Sequence, residues 1–211
     1  CLSLVGSEMC IRDRRRSEHV SMNRRLVLLH GWGADGDDLR PLGDALKARL
    51  GGSLDLVSLD APELHPQGSG RQWYGLFPAQ WDAVPAAINQ LQQRLHQLDG
   101  GELALKRTVL FGFSQGGAMA IHAGCELPLA GVISCSGYPH PNWQPPSGHP
   151  PVLLLHGEDD AVVPFEAMAQ IRDKLDSHSC KALAFKNGHT IAKETMQPIE
   201  NFISSVLTEL Q

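Results

Sequence analysis

Long hydrophobic runs are missing: no stretch of this sequence approaches the roughly 20 apolar residues a helix needs to cross a bilayer. The N-terminus also lacks the apolar core of a secretory signal, so the expected location is the cytoplasm, without membrane insertion. A basic surplus is missing too. Lys and Arg number 18 against 23 Asp and Glu, a net charge of −5, and the only arginine cluster precedes residue 26, which argues against a nucleic acid partner. Cysteine is scarce, five in 211 residues, with neither C-x-x-C nor zinc-ligand spacing. That excludes a disulfide scaffold and a cysteine-built zinc site. Cys125 and Cys135 fall in apolar segments and are expected to be free thiols packed as small hydrophobes. A starting Met is absent as well. Cys1 to Ser21 carries an Arg14-Arg15-Arg16 run, shows no sustained periodicity, and opens with a string that resembles translated sequencing adapter. The expectation is a non-native or disordered extension over residues 1–21, with Met22 as the start of the fold.

What is there suits one domain over residues 22–211: the chain is 42% hydrophobic and 19% charged, enough apolar material for a single sizeable core. Short apolar or alternating runs recur at 25–30, 54–59, 108–113, 130–134, 152–156 and 181–185. Helical periodicity separates them. Trp81, Val84, Ile88, Leu91, Leu95 and Leu98 follow one another at three- and four-residue spacings before the stop Asp99-Gly100-Gly101, and Ile199, Phe202, Ile203, Val206, Leu207 and Leu210 do the same near the C-terminus. Alternating strand and helix patterns define an α/β class with a mostly parallel central sheet and helices on both faces. There is no internal repeat. Asp60 to Phe77 and Gly137 to Pro151 read as loops. The second holds six prolines, too many in too short a span for a lid domain, so an open site is expected.

The sharpest local signal is Gly112-Phe113-Ser114-Gln115-Gly116, a G-x-S-x-G between an apolar run and a helical stretch. Strand, turn and helix in that order make a sharp elbow that exposes a serine nucleophile, and the flanking glycines leave room for it. The first backbone N–H groups of the following helix are free, so the Gln115 N–H can stabilise an oxyanion. Leu28-Leu29-His30-Gly31-Trp32-Gly33 is a second strand-to-loop junction, of the kind that supplies the other oxyanion donor; its placement selects the Trp32 N–H. His30 itself reads as a capping or core residue. Third, an apolar strand at 152–156 runs into Gly157-Glu158-Asp159-Asp160, where an acid past the strand end can accept a histidine Nδ1–H. In parallel-sheet folds with such a serine elbow the histidine follows the acid in sequence. Only His178 and His189 do so. His178 reads as the polar end of a helix over 173–179, whereas His189 follows a strand through Asn187-Gly188 and is preferred.

With these motifs in order, the chain resembles the phospholipase/carboxylesterase group of α/β-hydrolases that includes the acyl-protein thioesterases. The likeness spans Leu26 to the C-terminus and rests on LHGWGADG, Asp60-Ala61-Pro62, Gln72-Trp73-Tyr74, GFSQGG, the segment 130–138, HGEDDAVVP and GHTI. It implies the α/β-hydrolase fold and a triad of Ser114, Asp160 and His189. Asp160 is chosen over Asp159 by its spacing from Gly157 and Pro164. The resemblance also implies oxyanion donors at Trp32 and Gln115, and no metal or cofactor. Trp73, Tyr74, Leu76 and Phe77 are candidate acyl-pocket residues. The expected activity is that of a serine carboxylesterase or thioesterase acting on small or medium acyl esters. The alternatives are a thioesterase for acyl-carrier or acylated proteins and a catalytically silent binding protein of the same fold. A small-molecule acyl ester or thioester is the expected partner, and a homodimer is left open.

Overall fold

The computed structural model describes residues 24–52, 54–98 and 105–208. The expected extension over 1–21 and the helix stop at Asp99-Gly100-Gly101 lie outside the described residues. Along the chain come β1 (Arg24–Leu29), α1 (Arg40–Arg49), β2 (Leu54–Leu59), the two-residue strands β3 (Glu63–Leu64) and β4 (Arg71–Gln72), α2 (Val84–His96), β5 (Thr108–Phe113), α3 (Gln115–Cys125), β6 (Gly131–Cys135), β7 (Val152–Gly157), α4 (Glu166–Arg172), β8 (Cys180–Phe185) and α5 (Met196–Thr208). Six strands form one sheet in the order β2-β1-β5-β6-β7-β8, every neighbouring pair parallel; β3 and β4 make a separate antiparallel ladder inside the 60–77 loop.

Burial explains this order. β6 and β7 are buried at every position and β1 and β5 at all but one, as strands covered on both faces must be, while β2 and β8 are only partly buried and take the two edges. Successive side chains on each strand go to opposite faces. Val27, Leu29, Leu110, Val132 and Leu154 join one core with Leu91, Met119 and Ile171 from α2, α3 and α4. Leu26, Leu28, Val109, Phe111, Ile133 and Leu153 join the other with Leu46 of α1 and Ile199 and Ile203 of α5. Truncating a filled position such as Leu91 to Ala is worth about 2–5 kcal/mol of stability. Cys125 and Cys135 are buried free thiols, pushed up to about 12 by burial.

The helical reading from Trp81 divides in the structure: Trp81–Ala83 is a 3-10 turn, and α2 proper starts at Val84 with Pro85 in its first turn, where a missing N–H costs nothing. The segment 173–179 is a correction. α4 ends at Arg172, and His178 sits exposed in a turn, its N–H on Asp176 Oδ1 at 2.8 Å; that local bond competes with helix continuation. Between Gly137 and Pro151 there is no helix or strand and no lid. No helix of the described residues is long and apolar enough to cross a membrane. The chain runs from β1 out to β2, then crosses back past β1 to β5 and onward to β8. The reversal between β1 and β5 opens a crevice at their C-terminal ends, where ligands bind in open parallel sheets.

Candidate active site

Ser114 stands at that crevice, between β5 and α3, with φ 55° and ψ −119°, backbone values that side-chain-bearing residues rarely adopt. Two hydrogen bonds hold it there: its N–H donates to Cys135 O at 2.9 Å and its carbonyl accepts from Ala118 N at 3.0 Å. The flanking glycines are required by contact. A Cβ on Gly112 would fall 2.0 Å from Gly116 O, and one on Gly116 would fall 2.2 Å from Leu29 O, so β5, β1 and α3 close on one another only without side chains.

His189, on the loop after β8, places Nε2 2.9 Å from Ser114 Oγ and Nδ1 2.8 Å from Asp160 Oδ2. Its ring packs against Phe113 at 4.8 Å between centroids. Asp160 follows β7, and its side chain is fully buried. The other carboxylate oxygen, Oδ1, accepts the Val162 and Val163 N–H groups, each at 2.9 Å, so the turn that carries the acid also grips it. Burial alone would raise this carboxyl; the hydrogen bonds from His189, Val163 and Val162 outweigh it and hold the group below the usual carboxylate range. Its neighbours turn outward. Asp159 is exposed and Glu158 pairs with Lys186. On the far side of Asp160, His156 Nε2 donates to Val163 O at 3.0 Å and lies 3.6 Å from Oδ2, a second brace on the same turn that spacing gave no reason to suspect.

The β1 loop meets the serine directly: a Cβ on Gly31 would lie 3.4 Å from that of Ser114. His30 shapes this loop from within. Its Nε2 accepts the Ala61 N–H at 3.0 Å, which forces the proton onto Nδ1 and makes that atom the donor to Gly31 O at 2.7 Å. Burial lowers its pKa, in keeping with a neutral ring. The loop is tied down further by Gly33 N–H on Arg71 O and Arg71 N–H on Ala34 O. Neither the Trp32 nor the Gln115 backbone N–H meets a protein acceptor among the described residues. The Gln115 side chain has a separate task. Its Oε1 accepts the Trp73 N–H and its Nε2 donates to Tyr74 O, stitching the start of α3 to the 60–77 loop.

Beside Ser114 and His189 lies a pocket of about 620 Å³, walled by Trp32, Leu76, Phe77, Trp81, Tyr138, Val162 and Val163. Of the four residues expected to line it, Leu76 and Phe77 do. Trp73 and Tyr74 do not: both are buried in the core under the loop, Trp73 with its indole N–H on His30 O at 3.0 Å. The irregular backbone between them turns one adjacent pair inward and the other out to the pocket. Trp81, Tyr138, Val162 and Val163 were not anticipated as lining. The signal that could have found the last three is that each follows the C-terminal end of a central strand. Among the described residues no group of His, Cys, Asp and Glu is placed to hold a metal ion.

The parallel sheet, the strained serine elbow after β5 and the acid and histidine on later loops are the features of an α/β-hydrolase. Comparison with known proteins places the chain within that class. Residues 16–207 match the Phospholipase/Carboxylesterase family model, and the chain belongs to this family. It is 31% identical over 137 residues to acyl-protein thioesterase 1 of Gibberella zeae and 28% identical over 166 residues to that of Neurospora crassa, covering 56% and 65% of this chain. The aligned stretches span 54% and 66% of those relatives' own lengths. Among solved structures, esterase PE8 is 30% identical with a TM-score of 0.79, over 88% of this chain and 93% of that one. SOBER1 of Arabidopsis thaliana, 23% identical with a TM-score of 0.73 over 87% of this chain and 98% of its own, shares the fold.

Proposed function

We propose that this protein is a serine hydrolase that cleaves small to medium carboxylic esters or thioesters through an acyl-Ser114 intermediate. The observation that carries this reading is the unbroken hydrogen-bonded relay from Ser114 Oγ through His189 to Asp160. Ser114 Oγ attacks the acyl carbon as its proton passes to His189 Nε2, and the new C–O bond leaves negative charge on the former carbonyl oxygen. The Gln115 and Trp32 N–H groups take up that charge, with the N-terminal end of α3 adding its partial positive charge. Collapse of the intermediate expels the alcohol or thiol, which receives the proton from His189. Water then attacks the acyl carbon as it gives a proton to His189, and the second intermediate collapses with that proton returned to Ser114 Oγ, breaking the C–Oγ bond and releasing the carboxylic acid. Asp160 keeps the proton of His189 on Nδ1 and stabilises the imidazolium that forms transiently. The apolar pocket beside Ser114 suits an acyl chain.

A second reading, removal of acyl groups from carrier or other proteins, is favoured by the names of the fungal relatives. A catalytically silent binding role is disfavoured, because it leaves the strain at Ser114 without purpose. Labelling with a fluorophosphonate and turnover of a chain-length series of p-nitrophenyl esters, with Ser114→Ala as control, test the proposal. The expected result is labelling and hydrolysis in the parent and neither in the variant. Labelling that persists in Ser114→Ala would falsify the nucleophile assignment.

A further inference from the structure

Behind the pocket wall runs a second hydrogen-bonded chain that the proposed reaction does not use. Tyr138, which lines the pocket beside Ser114, places its hydroxyl 2.7 Å from that of Tyr74. Tyr74 OH lies 2.8 Å from His140 Nε2, and His140 Nδ1 lies 2.8 Å from His122 Nδ1 on α3. The far end meets a carboxylate: His122 Nε2 is 3.7 Å from Glu126 Oε1, while Glu126 Oε2 accepts from Gln92 of α2 at 2.7 Å. Tyr74 and His140 are almost wholly buried. Burial is the first cause that lowers both histidines, His140 to about 3, so both rings are neutral near pH 7.

Proton counting then fixes the chain's sense. Four neutral groups bring four mobile protons to three contacts, and each contact holds one. His140 donates through one nitrogen and accepts through the other, so the whole chain points one way and the spare proton sits at one end. Either it lies on His122 Nε2, toward Glu126, or it lies on the hydroxyl of Tyr138, a residue of the pocket wall. The Glu126 carboxylate decides between them, because the second arrangement would aim the His122 Nε2 lone pair at a negative charge 3.7 Å away. The proton therefore stays on His122 Nε2, His140 donates from Nδ1, Tyr74 donates to His140 and Tyr138 donates to Tyr74. Tyr138 is left with an acceptor lone pair at the wall of the pocket.

We propose that Tyr138 is a specificity residue whose hydroxyl oxygen accepts a hydrogen bond from a hydroxyl or amide N–H group on the bound acyl substrate, and that the Glu126–His122–His140–Tyr74 chain holds it in that sense. The inference deepens the reading of the site as an acyl-ester hydrolase and rests on it for the substrate class. In a mostly apolar pocket, one oriented acceptor separates a hydroxylated chain from a plain one. Because Tyr138 already has Tyr74 as a partner, the gain is that of one neutral hydrogen bond, about three- to tenfold in affinity.

Binding of non-hydrolysable octanamide and of octanamides with one hydroxyl walked along the chain, followed by intrinsic tryptophan fluorescence, tests this without any turnover. At least one hydroxylated amide is expected to bind about three- to tenfold more tightly than the plain one. Tyr138→Phe should erase that difference, and Glu126→Ala, at the opposite end of the chain, should reduce it. Nitrogen-15 shifts of the histidine rings supply a readout that a purely structural role would not move: His140 protonated on Nδ1 and His122 on Nε2. Equal binding across the series, no binding of any amide, a preference that survives Tyr138→Phe, or His140 protonated on Nε2 each overturns the proposal. Absent ester turnover with the amide preference intact counts against the hydrolase reading and leaves the recognition by Tyr138 standing.

Discussion

Two chains of hydrogen-bonded side chains flank the same pocket, and they differ in where the charge is kept. In Ser114–His189–Asp160 the carboxylate is fully buried and gripped by two backbone N–H groups, while the histidine side chain is 18% exposed. In Tyr138–Tyr74–His140–His122, which ends 3.7 Å from the Glu126 carboxylate, that carboxylate side chain is 41% exposed and His140 is buried. A buried anion beside a reachable imidazole suits a ring that must gain and lose a proton in the proposed reaction, since the resulting cation is paired at once. A buried imidazole far from any buried anion resists charging, which makes the second chain a fixed director of polarity rather than a mover of protons.

The largest expected break in this contrast is at the serine. Ser114→Ala should lower ester turnover on the order of 10⁶-fold, read by p-nitrophenyl ester kinetics, while circular dichroism stays native. Next comes the acid. Asp160→Asn should cost on the order of 10⁴-fold by admitting the wrong His189 tautomer, whereas Asp159→Asn, on an exposed neighbour, should stay within a few-fold of the parent. A larger loss in the Asp159 variant on one ester at one pH would reverse the two roles. In the second chain the expected cost is to stability. His140→Leu leaves His122 Nδ1 without its partner and removes the acceptor of the Tyr74 hydroxyl proton, and should lower unfolding free energy by about 1–3 kcal/mol in denaturant titrations.

The smallest effect separates the chains by pH. His140 titrates at about 3 in the fold against 6.5 in the unfolded chain, so between these values the unfolded state holds a proton that the folded state refuses. Its contribution is complete above about pH 6.5 and is lost as pH falls, by up to about 1.4 kcal/mol per pH unit. Asp160, whose carboxyl is lowered in the fold, contributes above its unfolded value of 3.8 and loses that contribution only as pH drops through its folded value. Thermal melts between pH 7 and 4.5 should therefore fall less steeply for His140→Leu than for the parent. Identical slopes would show that His140 is not the group resisting protonation.

The six strands and the chain order of serine, acid and histidine were legible because each is local: a run of buried apolar residues, or a turn just past one. The G-x-S-x-G elbow, the acidic turn before Pro164 and the histidine after Asn187-Gly188 each carry their meaning within a few residues, and the structure brings Ser114, Asp160 and His189 into one hydrogen-bonded chain. The second chain was not legible. His140 meets Tyr74 across 66 residues of sequence, from a proline-rich loop that has no periodicity to announce which side faces inward. The same reason misplaced Trp73 and Tyr74, since neither a helical nor a strand repeat governs the 73–77 segment. His178 failed for a different cause: the Asp176 side chain takes up the backbone N–H that a longer helix would have used.

The three groups of the relay also differ in how firmly the sheet holds their supports. Ser114 follows β5 and Asp160 follows β7, both interior strands, but His189 hangs on the loop beyond β8, an edge strand that pairs on one side alone and is only partly buried. Edge elements with few buried contacts open first in local fluctuations. Loss of activity in mild denaturant should then precede loss of the sheet, and recover at once on dilution. Amide hydrogen exchange should find β8 and the loop beyond it opening while β5 through β7 stay closed. The protein would disarm reversibly by lifting its base away, long before it unfolds.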